Sequence, residues 1–195
     1  MEKKYIVALG SSAGGLKPML TFFDNTPNDH ATYIILRHLQ VNARSLLGYI
    51  LKRHSKLSIV EVENGMLIEE NKIYTQPPGS YITIRNGYLY LHPSTKYSMY
   101  PNKSIDIFLK SLAETTTSES IVIILSGRGS DGAKGVGLIK EKGGLILVQK
   151  PQSCEYPSMP ESSIKTGAVD LELLPDEMPG AILKQIYFRL QQKLL

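Results

Sequence analysis

A single cysteine, Cys154, and the absence of tryptophan set the first limits on this chain. One thiol cannot build a disulfide framework or a multi-cysteine metal site. Nor does Cys154 have the neighbouring base or cationic cluster that marks an activated thiol. Long hydrophobic runs are missing too. The longest purely aliphatic stretch is Ile121 to Leu125, far short of the roughly 20 residues that span a bilayer. The opening MEKKYIVALG enters a strand-like run at once and leaves no room for a signal peptide. A cytoplasmic address is therefore expected, with no membrane insertion. Charge of one sign is also scarce: 22 Lys and Arg face 18 Asp and Glu, a net of +4. The cations form only short clusters such as Lys3-Lys4 and Lys52-Arg53. That pattern lacks the basic face of a nucleic-acid binder and fits a weak attraction to an acidic partner.

Within those limits the 195 residues, 42% hydrophobic and 21% charged, describe a globular chain. A domain of this size buries about 70% of the surface its unfolded chain exposes. Apolar runs alternate with amphipathic stretches, the α/β pattern. Strands are expected at Tyr5 to Leu9, Tyr33 to Leu36, Ile59 to Val62, Ile121 to Leu125, Leu145 to Gln149 and Val169 to Leu173. Helices are expected to Phe23, around Leu46 to Leu51, over Ser104 to Glu114, to Lys142, and from Met178 onward. From Asn64 to Pro101 the character changes, and six of the eleven tyrosines lie between Tyr74 and Tyr100. There Asn86-Gly87 separates two strand-like runs, the strongest short hairpin signal. The expected fold is a doubly wound, mostly parallel sheet with flanking helices and an antiparallel hairpin at one edge. No repeat or linker divides it, so residues 1–195 read as one domain.

Open α/β sheets bind ligands beyond the carboxyl ends of their strands. The first strand delivers Ser11 and Ser12 there, the second delivers His38, and the strand ending at Leu125 delivers a glycine-rich turn closing on Ser130-Asp131-Gly132. Serine, histidine and aspartate are the parts of a nucleophilic hydrolase. The chain order, Ser, His, Asp, differs from that of α/β-hydrolases, and their G-x-S-x-G elbow is absent. Each residue also has a plainer role: Ser12 as a helix N-cap, His38 as a core histidine, Asp131 as the cap of the helix at Gly132. Gly14-Gly15 could instead cradle a phosphate, although G-x-G-x-x-G is not matched. Three suitable types at three separate strand ends point together to chemistry. His30, His54 and His92 show no ligand spacing. Asp24 and Asp29 flank a turn at the far end of the first helix, and Asp106 suits the positive end of its own helix.

These residues resemble the catalytic domain of bacterial chemotaxis protein-glutamate methylesterases, the CheB family. I-V-A-L-G-S-S-A-G-G at Ile6 to Gly15 is similar to that family's nucleophile turn, and I-I-L-R-H at Ile34 to His38 to its histidine segment. V-I-I-L-S-G-R-G-S-D-G from Val122 to Gly132 is similar to the aspartate segment and is the most specific of the three. Lesser matches are E-x-G-M from Glu63, I-Y-T-Q-P-P-G from Ile73, S-I-D-I-F from Ser104, and Met159-Pro160. All follow the family's order.

The resemblance implies Ser12 as nucleophile, His38 as general base and acid, and Asp131 as the residue orienting His38. It implies an oxyanion hole from the backbone of Arg128 and Ala13, with Gly14, Gly129 and Met159 as substrate-binding residues. The implied reaction is hydrolysis of γ-glutamyl methyl esters on chemoreceptor helices, releasing methanol without metal or cofactor. Deamidation of receptor glutamines accompanies it in many members. The look is closest to esterase domains fused ahead of a receptor methyltransferase, so a fused or cognate methyltransferase is an expected partner and no receiver domain is expected. Three departures stand out. Ala13 replaces a frequent Thr, Tyr100-Pro101-Asn102-Lys103 replaces a common His-Arg-Pro before Ser104, and Arg128 replaces a frequent Met. The lost His-Arg pair and the missing receiver motivate a second reading, a non-catalytic receptor-docking or sensor module that keeps the fold.

Overall fold

The computed structural model describes residues 5–37, 46–94, 103–115 and 119–192. Ten strands and six α-helices follow in the order β1 (Tyr5–Ser11), α1 (Leu16–Asp24), β2 (Ala31–Arg37), α2 (Leu47–Leu51), β3 (Ser58–Glu61), β4 (Met66–Leu67), β5 (Lys72–Thr75), β6 (Ser80–Arg85), β7 (Tyr88–Pro93), α3 (Ser104–Thr115), β8 (Ser120–Ile124), α4 (Ala133–Glu141), β9 (Leu145–Gln149), α5 (Ser158–Ile164), β10 (Leu171–Leu173) and α6 (Met178–Gln192). Seven strands form one sheet in the order β10-β9-β8-β1-β2-β5-β3. Every pair in it is parallel.

A parallel strand between two helical layers must be apolar on both faces. The central strands meet that condition, since β1 and β8 are buried at every position. Their alternate residues feed two separate cores. Ile6, Ala8, Val122 and Ile124 pack with α3, α4 and Met159. Tyr5, Val7, Leu9, Ile121 and Ile123 pack with α1, α2 and α6. The chain steps from β1 to β2 on one side, and β8 later joins β1 on the other. The switch point of the sheet therefore lies between β1 and β8.

The Asn-Gly hairpin forms as expected. Asn86 and Gly87 take φ of 54° and 79°, and Arg85 pairs with Tyr88 across the turn. Its position is a correction. The hairpin is not an edge of the main sheet but belongs to a separate antiparallel sheet in the order β4-β7-β6. Only one of its faces is apolar, with Ile82, Ile84 and Leu89 buried against the α3 core. Tyr81 and Thr83 point the other way and are only half-buried. A strand patterned on one face cannot enter a sheet covered on both. β5 is the converse case. It lies within the tyrosine-rich stretch, yet it sits inside the main sheet between β2 and β3, because Ile73 serves one core and Tyr74 the other. The helix α5 was not expected from the sequence. Among the described residues, no helix is long and apolar enough to cross a membrane.

Helices α3 and α4 pack closely because Gly135 has no side chain. A Cβ there would lie 2.4 Å from Leu109 Cβ, and that atom cannot rotate away. Gly135→Ala is expected to lower stability by about 1–3 kcal/mol through overpacking, read as a reduced urea midpoint with unchanged slope.

Candidate active site

The site edge begins where β1 runs out of bulk. At Gly10 a Cβ would meet Ile105 Cγ2 at 3.0 Å, so α3 can approach the end of the strand. Ser12 follows, half-buried. Its N–H donates to the Ser126 carbonyl (3.1 Å) and its carbonyl accepts from Gly15 N–H (3.1 Å). The plainer role for Ser12 does not apply: α1 is capped at Gly15, with no side-chain cap.

Ser126 holds this turn against β8. Its buried hydroxyl donates to the Ala13 carbonyl (3.0 Å) and accepts from Tyr156 N–H (3.0 Å). Its own N–H donates to Gln149 Oε1 (3.0 Å). Sequence reasoning missed both residues. The available signal was a polar residue closing each of two buried apolar strands. Gly127 then lets three groups converge. A Cβ on it would stand 2.0 Å from Met159 Sδ and 3.1 Å from Ser12 Cβ. Met159 is completely buried, so its side chain supports the turn from beneath rather than facing solvent.

The β8–α4 turn has two amides already engaged. Gly127 N–H donates to the Tyr156 carbonyl (2.9 Å) and Gly129 N–H to Ser158 Oγ (3.0 Å). The amides of Arg128 and Ala13 make no hydrogen bond among the described residues. Gly129, at φ 89°, is exposed with open space where a Cβ would be. The Arg128 guanidinium stacks over the Tyr156 ring, 4.3 Å from its centroid; such a contact is worth roughly 0.5–1 kcal/mol at the surface.

Asp131 is buried and caps a helix other than the one it precedes. Its Oδ2 accepts from Ile105 N–H (3.0 Å) and its Oδ1 from Asp106 N–H (2.9 Å) and Gly132 N–H (3.0 Å). Ile105 and Asp106 are in the first turn of α3, just after Lys103, whose side chain has no acceptor to offer. Asp131 supplies the missing N-cap from another loop. Asp106 reciprocates: its Oδ1 accepts from Gly135 N–H in α4 (2.9 Å), where the cap residue Gly132 has no side chain. Burial, together with the nearby Asp131 charge, raises the pKa of Asp106, against the hydrogen bond from Gly135. Sequence reasoning credited Asp106 only with a dipole role in its own helix.

His38 lies outside the described residues. Arg37, immediately before it, ends β2 opposite Ser11 of β1. The remaining sequence candidates are engaged elsewhere. His54 pairs with Asp24 (2.9 Å), His30 with Glu70 (3.2 Å), and His92 with Thr83 (2.8 Å). Asp29 accepts from the Tyr33 hydroxyl. Burial pushes the Cys154 thiol up to about 11, leaving no thiolate at neutral pH. The phosphate reading of Gly14-Gly15 meets a carboxylate: Glu155 Oε2 would lie 3.0 Å from a Cβ on Gly14.

A serine turn and a buried aspartate meeting at the switch point of an open parallel sheet give the layout of a hydrolase outside the α/β-hydrolase frame. Comparison with known proteins makes this specific. The family model described as CheB methylesterase matches residues 7–182, and the chain belongs to that family. The crystal structure of the Thermotoga maritima CheB methylesterase catalytic domain superposes with a TM-score of 0.85 at 28% identity, covering 94% of this chain and 99% of that one. The Pyrococcus horikoshii protein-glutamate methylesterase/protein-glutamine glutaminase is 28% identical over 92% of this chain and 50% of its own length. An uncharacterized 104.1 kDa protein of Rhodobacter capsulatus is 34% identical over 65% of this chain, which is 13% of its own length. The chain thus spans about half of the first of these two proteins and a small part of the second.

Two outcomes follow from the paired caps. Asp131→Ala removes the carboxylate that accepts from three N–H groups and is expected to cost about 1–3 kcal/mol, measured by chemical denaturation. Asp106 has a folded pKa above its unfolded value, so the folded state holds its proton more tightly. Its contribution is then fully present below the ordinary aspartate range and declines as pH rises through the raised pKa. Asp106→Asn should remove that decline, giving a flatter stability profile across mildly acidic pH than the parent.

Proposed function

We propose that this domain is a serine hydrolase that removes methyl groups from γ-glutamyl methyl esters of chemoreceptor cytoplasmic helices, in the adaptation of chemotaxis signalling. The observation that carries the reading is the meeting of the Ser12 turn, two uncommitted amides and a fixed aspartate at one switch point, in a member of the CheB methylesterase family. In this reading His38 takes the proton from Ser12 as the hydroxyl oxygen attacks the ester carbonyl. Asp131, locked by three backbone donors, orients His38 and stabilises its charged form. The N–H groups of Arg128 and Ala13 receive the oxyanion. They are backbone donors, so the replacement of the family's Met and Thr at these positions does not remove them.

His38 then returns the proton to the departing methoxide, and methanol leaves. Water attacks the acyl-enzyme with His38 again as base, and the glutamate carboxylate is freed. With ammonia as leaving group, the same steps would deamidate a glutamine, the second activity in the name of the Pyrococcus relative. Gly14 and Gly129 line the approach to Ser12, while Met159 acts on the substrate only through the turn it supports. The ester consumed here is the product of a receptor methyltransferase, which makes such an enzyme the natural fused or cognate partner.

Ser12→Ala is expected to abolish methanol release from methylated receptor helices, with circular dichroism and melting temperature close to the parent's. A folded Ser12→Ala protein that still releases methanol would overturn the assignment and direct attention to Ser11.

A further inference from the structure

We propose that Arg37 is a specificity residue whose guanidinium binds a carboxylate of the substrate chain, near the ester but distinct from it. The inference rests on the methylesterase reading above. Arg37 is in register with Ser11, one residue before Ser12 on the neighbouring strand. Side chains alternate along a strand, so Arg37 and Ser11 share the sheet face that carries Ile35 and Leu9. Ser12 Cβ, by contrast, lies beside Gly127 of the β8 turn. The reacting carbonyl and the Arg37 ligand would therefore sit on different sides of β1 and cannot be the same group.

The guanidinium is half-buried, and its Nε is fully buried with no hydrogen-bond partner. Ser11 Oγ, buried beside it on the same face, has none either. Among the described residues Arg37 forms no ion pair. The sequence supplies no acid from the adjoining stretches: residues 38–45 and 95–102 contain neither Asp nor Glu. Burial lowers the pKa of Arg37 with no compensating cause. A cation that gives up water without gaining a counter-charge is costly to a fold. The cost makes sense where a ligand brings the counter-charge. A guanidinium fork matches a carboxylate in bidentate geometry, and the C-terminal edge of an open α/β sheet is where ligands bind. Arg128, on the opposite flank of Ser12, is already stacked on Tyr156.

The test uses helical peptides carrying one glutamyl methyl ester and a second residue, Glu or Gln, either adjacent or one helical turn away. The parent is expected to show a KM about tenfold lower for at least one acidic peptide than for its neutral twin, a difference typical of a charged hydrogen bond. Arg37→Gln should erase that preference while kcat stays within about twofold, and Arg37→Lys should restore part of it. Dissociation constants of the same peptides, measured on Ser12→Ala with and without Arg37→Gln, report the preference without turnover. An inactive parent that still binds acidic peptides through Arg37 would therefore speak against the esterase reading alone and for the carboxylate site. The proposal is overturned if acidic and neutral peptides give equal KM and equal Kd in the parent. It is equally overturned if the preference survives Arg37→Gln, or if that variant only lowers the melting temperature.

Discussion

Two aspartates on two segments hold each other's helices in place, and the rest of the site is built around that exchange. Asp131 caps α3 from the β8–α4 turn, and Asp106 caps α4 from the first turn of α3. Lys103, just before α3, has no side-chain acceptor, and Gly132, the cap residue of α4, has no side chain. The exchange fixes the distance between the two helices and, through them, the position of the Asp131 carboxylate at the sheet edge. It also puts two acids close together, and the half-buried Asp106 responds with a raised pKa. A group proposed to orient a catalytic histidine gains from this arrangement, because its carboxylate cannot rotate without breaking backbone bonds.

The β1 side of the site is held differently, by close approach rather than by charge. Ser126 and Gln149 pin the Ser12 turn from behind. Gly127 admits the Met159 side chain on one side and Ser12 on the other. The two halves meet between β1 and β8, where the direction of winding reverses. The Arg128 and Ala13 amides are not spent on the turn itself among the described residues, and in the proposed scheme such preorganised donors stabilise the developing oxyanion. The proposed chemistry therefore asks little of side chains that differ from the family's usual ones. Ala13 and Arg128 contribute backbone in that scheme, and the Arg128 side chain is committed to Tyr156.

Much of the fold was legible because burial on both faces leaves a plain mark. Runs such as Ile121 to Leu125 could only be central strands, and glycine-rich breaks after them could only be turns at the sheet edge. The Asn86-Gly87 hairpin was equally legible, since positive φ at two successive positions narrows the residue choice. Its placement was not. Alternation shows that one face of β6 is apolar, but not which core receives it. β5 was hidden for a related reason: its tyrosine-rich surroundings look like the hairpin, and only Ile73 and Tyr74 facing opposite cores reveal it as an interior strand.

Residue types and their order along the chain determined the parallel α/β class, the strand ends that carry Ser12, His38 and Asp131, and the resemblance to methylesterases. Those features are local, because hydrophobic period and turn chemistry act over a few residues. Tertiary structure alone decided that Asp131 caps α3 rather than α4, that Met159 lies beneath the Ser12 turn, and that Arg37 ends β2 opposite Ser11 with no ion pair among the described residues. Each of these depends on which distant segments are brought together. Asp131 lies 26 positions along the chain from Ile105, whose amide donates to it, and no local pattern encodes a hydrogen bond across that gap.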